Sequence, residues 1–121
     1  MASLDHLRGH ELLPQDLREK LPVLYSQESL GLEAVALVKF FTPRSNWTWY
    51  VTEFDQVDTC FGLVNGFELE LGYFSLSELD SVRDASRMPA IERDLYYAPK
   101  TLAQLITLHN KKRGAGDSAA P

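Results

Sequence analysis

The sequence predicts an α+β domain: a four-stranded antiparallel meander, extended by a fifth edge strand over 94–97, with helices packed mainly on one face. Three observations predict it. β-Branched and aromatic residues concentrate between 34 and 74. Asn65-Gly66 is a strong hairpin signal between two apolar runs. Two capping boxes, Ser75-Leu76-Ser77-Glu78 and Thr101-Leu102-Ala103-Gln104, announce helices beyond the strands.

The elements follow in order. Residues 1–10 are weakly patterned, with only Leu4 and Leu7 at a short apolar spacing, and read as a loosely ordered segment. The single domain is expected over 11–110. Its first helix starts on Pro14 and stops at Pro22, with Leu17 and Leu21 on one side. AVALVKFF, 34–41, is almost wholly apolar and suits a strand covered on both faces. TPRSN turns the chain into strands over 46–55, 58–64 and 67–74. One short helix follows Ser75, and a second, carrying Leu102, Leu105, Ile106 and His109, runs to about Asn110. KKRGAGDSAAP, 111–121, has nothing to bury and is expected to be a disordered tail.

A two-residue type I′ loop at Asn65-Gly66 sets Val64 opposite Phe67, Gly62 opposite Leu69 and Cys60 opposite Leu71. Trp49 then falls opposite Val64 and Val51 opposite Gly62. The face bearing Trp47, Trp49, Val51, Cys60, Gly62, Val64, Phe67, Leu69, Leu71 and Tyr73 is the expected core. The other face carries Tyr50, Thr52, Phe54, Thr59, Phe61, Leu63, Glu68 and Glu70, and its mixture of apolar and acidic groups is one that monomers cover or use.

Composition narrows the function. With 121 residues, 45% hydrophobic and 24% charged, the chain is an ordinary globular protein able to bury roughly two-thirds of its unfolded surface without a staple. The single Cys60 excludes an internal disulfide framework and a cysteine zinc site, and a cytoplasmic setting is expected. The first residues do not read as a secretory signal, and nothing reaches the ~18 apolar residues of a membrane span. The net charge of −5 is unevenly spread: no Lys or Arg lies between Arg44 and Arg83, where Glu53, Asp55, Asp58, Glu68, Glu70, Glu78 and Asp80 all fall.

Glu68 and Glu70, two apart on a strand, project from one face, and with Glu53 they form the candidate cation or acid–base set of a metal-dependent hydrolase or nuclease. Alternating acids more often keep a sheet's outer face soluble. Glu53, Asp55 and Asp58 surround a turn without the spacing of a calcium loop. His6 and His10 have an i,i+4 spacing, but Leu7 stands where a zinc peptidase helix has Glu. Cys60 reads as a packed core thiol, and both Trp as core rather than as base-stacking platforms, since the sheet is acidic. A second alternative is nucleic-acid binding through the basic C-terminal half, where Arg83, Arg87, Arg93, Lys100, Lys111, Lys112 and Arg113 outnumber the acids. The preferred expectation is a non-enzymatic protein without cofactor, which binds a protein partner, basic or DNA-associated, through Tyr50, Thr52, Phe61, Leu63, Glu68 and Glu70. The same face would also serve a homodimer.

ELLPQDLREKLPVLYSQE, VKFFTPRSNWTWYVTEFD, CFGLVNGFELELGYFSLSEL and ERDLYYAPKTLAQL together resemble the bacterial family catalogued as domain of unknown function 2958, over about residues 11–110. The resemblance implies a small protein of plasmids and integrative elements, encoded among genes for DNA transfer, antirestriction and maintenance. It implies no catalytic residues.

Overall fold

The structure, a computed structural model, describes residues 3–119. Strands β2 (Val38–Phe41), β3 (Thr48–Phe54), β4 (Thr59–Asn65), β5 (Leu69–Ser75) and β6 (Glu92–Arg93) form one antiparallel sheet in the order β5-β4-β3-β2-β6. The expected meander is present, and its fifth strand pairs with β2 slightly earlier in the chain than 94–97. β1 (Val35–Ala36) breaks away from β2 and pairs instead with β7 (Lys100–Thr101) in a small separate ladder.

Helices cover both faces. α1 (Asp5–Arg8), α2 (Gln15–Lys20) and α3 (Leu76–Ser81) lie on one side, where Leu12, Leu13, Leu21, Leu76 and Leu79 pack on Val38, Phe40, Trp49, Val51, Phe54 and Cys60. α4 (Leu102–Ala119) crosses the other, where Leu102 and Leu105 cluster with Ala34, Ala36, Tyr50 and Leu63. Three of the four α-helices thus lie on one face, as expected, and the mixed second face is apolar because it carries a second core under α4. Leu102, Leu105, Ile106 and His109 recur at the spacing that places them along one stripe of α4.

Both capping boxes form, in different ways. Thr101 Oγ1 accepts the Gln104 amide while Gln104 Oε1 accepts the Thr101 amide, the complete reciprocal pair. Ser75 Oγ accepts the Glu78 amide, but the next donors of α3 go to Asp58, whose carboxylate accepts the Ser77 amide and both the Ser75 and Ser77 hydroxyls. α4 continues well past Asn110, so the tail expected to be disordered begins as helix; its residues 120 and 121 lie outside the described residues, as do 1 and 2. The N-terminal segment is likewise tied down. Leu4 is buried, and the Arg8 side chain is fully covered, pairing with Asp5 and Asp80 and donating to the Ile91 carbonyl.

The register of β3 against β4 is as expected at Trp49–Val64 and Val51–Gly62. The pairing then steps to Glu53–Phe61 and Phe54–Cys60, leaving Thr52 in a bulge with its hydroxyl donating to the Phe61 carbonyl. The extra residue moves Phe54 into the first core, correcting its expected place on the second face. Gly62 permits this approach of backbones, since a Cβ there would lie 1.7 Å from the Tyr50 carbonyl oxygen.

The β4–β5 hairpin differs more. Asn65 belongs to β4 and pairs with Leu69, so the connection is Gly66-Phe67-Glu68, and neither Asn65 nor Gly66 has the positive φ of a type I′ turn. The Asn65 amide is used elsewhere: Nδ2 donates to the Asn46 carbonyl and Oδ1 accepts from Arg113. The Trp47 ring occupies the space where a Cβ at Gly66 would stand. Relative to the expected pairing the register is displaced by an odd number of residues, which exchanges the two faces of β5. Leu69, Leu71 and Tyr73 therefore share the face of Phe61 and Leu63, and Glu70 lies with Val64 on the opposite one.

Candidate functional site

The six residues expected to form one partner-binding face are separated. Tyr50, Thr52 and Leu63 are only 1–2% exposed, beneath α4 and the connector that precedes β1, which corrects their expected place on an open surface. Tyr50 is held from both sides. Its hydroxyl lies 2.6 Å from His109 Nε2, and its ring packs against that of Tyr97. Burial raises the Tyr50 pKa and lowers that of His109, where Lys112, Lys39 and Arg113 add to the effect, so the pair is a neutral phenol bonded to a neutral imidazole. Phe61 is half-buried at the margin of α4, Glu68 is exposed in the hairpin loop, and Glu70 is exposed on the other side of β5.

The alternative carboxylate set is also dispersed. Glu53 is 3% exposed, and its two carboxylate oxygens accept the amides of Tyr25 and Gln27, at 2.9 and 2.7 Å. It fastens the 23–33 connector to β3, including the 3-10 segment Glu28–Glu33. Glu68 and Glu70 have been carried elsewhere by the loop and the register, so Glu53, Glu68 and Glu70 do not converge. Among the described residues, no group of three or more His, Cys, Asp or Glu is placed to hold a metal ion.

The turn acids have structural roles. Asp55 Oδ1 accepts the amides of Val57, Asp58 and Thr59, and these bonds lower its pKa. Burial acts to raise the Asp58 pKa, but hydrogen bonds from Ser75 and Ser77 outweigh it and hold it below the usual value. Burial pushes the Cys60 thiol up to about 12, in keeping with a packed core residue rather than a nucleophile. His10 Nε2 accepts the Arg93 amide.

What remains open is the free edge of the sheet. Among the described residues, β5 has β4 on one side and no strand on the other. Leu71 is 43% exposed and Tyr73 54%, and both flank Phe61, whose ring centroid is 4.8 Å from that of Tyr73. Tyr25, 60% exposed, extends the surface with its ring 6.3 Å from Tyr73. The patch runs into a groove of about 230 Å³ whose lining includes Phe61, Leu71, Leu102, Gly31 and Leu32. Tyr25 and Leu32 lie outside the strands, and Leu71 and Tyr73 read as core under the two-residue hairpin. No local signal places them, because the face that each β5 side chain takes follows from the length of the preceding loop.

These features define a class: a small α+β protein whose sheet is sheathed on both faces and open along one apolar edge. The chain belongs to the family described as a protein of unknown function, domain of unknown function 2958, whose model matches residues 12–115. No curated protein and no solved structure matches the chain. No helix among the described residues is long and apolar enough to cross a membrane.

Proposed function

We propose that this protein is a non-enzymatic binding module that takes up a protein partner along β5. The observation that carries this reading is the unpaired strand edge bearing exposed Leu71 and Tyr73 beside Phe61 and Tyr25. An exposed apolar edge is a template for strand addition, and proteins that do not use one usually blunt it. Side chains of an added strand alternate between faces. Apolar groups of the partner would lie beside Leu71 and Tyr73, and basic groups would lie towards Glu70 on the opposite face, with Glu68 adding charge at the loop. The family resemblance supports a setting in the bacterial cytoplasm, as an accessory protein of a mobile genetic element.

The test is a variant with Leu71→Lys and Tyr73→Lys. Both side chains are exposed, so the fold should persist by circular dichroism. Sedimentation equilibrium of the wild type shows whether a second copy is the partner, and co-purification from the source cells at low salt identifies others. Loss of the complexes in the variant supports the reading. Retention of every one of them in a folded variant sinks it.

A further inference from the structure

A second cavity, of about 280 Å³, opens at the other end of the second face, between the β2–β3 turn and the C-terminal half of α4. It shares no lining residue with the groove beside β5. Lys39, His109 and Lys112 line it, and no carboxylate does. The Lys39 ammonium is 3.5 Å from Asp94, which lies outside the lining, and Lys112 makes no ion pair among the described residues. In a protein of net charge −5, a concave site whose charged lining residues are both lysines is a local reversal of sign. Arg113, one residue on, adds to the positive field at His109.

The remaining lining is suited to more than a bare ion. Phe41 and Trp47 supply flat apolar walls beside the lysines. His109 is itself held by the Tyr50 hydroxyl, so the wall it contributes is rigid.

We propose that this cavity binds the phosphate group of a small phosphomonoester, with Lys112 and Lys39 supplying the charge, and Phe41 and Trp47 the surface for the organic part. Point-charge recognition of phosphate by lysine needs no planar fork, and charge-assisted bonds of this kind are the strong ones.

Calorimetric titration with inorganic phosphate and with adenosine monophosphate, at fixed ionic strength in chloride, tests the site. Wild type is expected to bind both, and the nucleotide more tightly if the aromatic walls take part. Lys112→Met removes an exposed side chain without disturbing the core, and should weaken both by about tenfold or more. Lys39→Met should act in the same direction. Lys111→Met, outside the lining, should leave both affinities unchanged. Binding of phosphate but not of the nucleotide keeps the anion site and removes the organic subsite. The proposal is overturned if neither ligand binds, if Lys112→Met binds as wild type, or if Lys111→Met loses as much. Retention of a single-stranded oligonucleotide without binding of either small ligand would also overturn it.

Discussion

Glu53 accepts two backbone amides from a connector more than twenty residues earlier in the chain, and is almost wholly enclosed. Its carboxylate replaces the ladder partners that Tyr25 and Gln27 lack, and Tyr25 itself has a positive φ of 70°. Glu53→Ala should leave both amides without their carboxylate partner, and lower stability by about 1 to 2 kcal/mol. Equilibrium unfolding measures the loss, and hydrogen exchange should show amides 25 and 27 exchanging faster, with those of β4 little changed. A loss below a few tenths of a kcal/mol would mean that the connector is held by its side chains alone. This role was not legible in the sequence, because a carboxylate's partners in a distant turn leave no periodicity. Cys60, Trp49 and Val51 were legible for the opposite reason: alternation along a strand records which side chains face a core.

At the scale of elements, Arg113 joins α4 to the β4–β5 hairpin. Its guanidinium donates to Asn65 Oδ1 and to the carbonyls of Gly66 and Phe67. Those contacts hold Asn65 as the last residue of β4 and exclude the two-residue turn that Asn-Gly favours locally. Arg113→Ala should therefore cost about 1 to 2 kcal/mol, after allowing for its partial exposure. It should also speed exchange of the amides in 65–69 while the Thr101–Gln104 capping box stays intact. Unchanged exchange in the hairpin would show that Trp47 packing alone sets the register. Strand existence and the helix starts were readable, since caps and β-branched runs are local signals. The face of β5 was not, since a loop one residue longer or shorter reverses every side chain that follows it, and here the deciding bonds come from a helix more than forty residues away.

For the molecule as a whole, two cores on one sheet explain why the second face of the meander is neither polar nor available. Ala34 and Ala36 bring the connector close, and Tyr50, Leu63, Leu102 and Leu105 fill the layer, with His109 as its most deeply placed titratable base. That arrangement couples stability to pH in two stages. His109 and His10 both have pKa values below the ordinary 6.5, through burial first and then through Lys112 at His109 and Arg93 at His10. A histidine whose folded pKa is depressed stabilises the fold above its unfolded pKa, and that contribution is lost as pH falls through the folded value. The first decline should therefore begin below about pH 6.5. Asp55, Asp58 and Asp84 are also lowered: Asp55 by backbone amides, Asp84 by Ser86 first, and Asp58 by Ser75 and Ser77 against the upward push of burial. Their contribution is present above about 3.8 and is lost as pH falls through their folded values, which gives a second decline in more acidic solution. Melting temperatures at pH 7.5, 6.0, 5.0, 4.0 and 3.0 should show both, and His109→Phe should flatten the first while leaving the second. The substitution also removes a hydrogen bond to Tyr50, so its effect is read from the slope with pH rather than from the melting temperature at pH 7.5. An unaltered slope between pH 6.5 and 5.0 would show that the α4 layer does not hold His109 neutral.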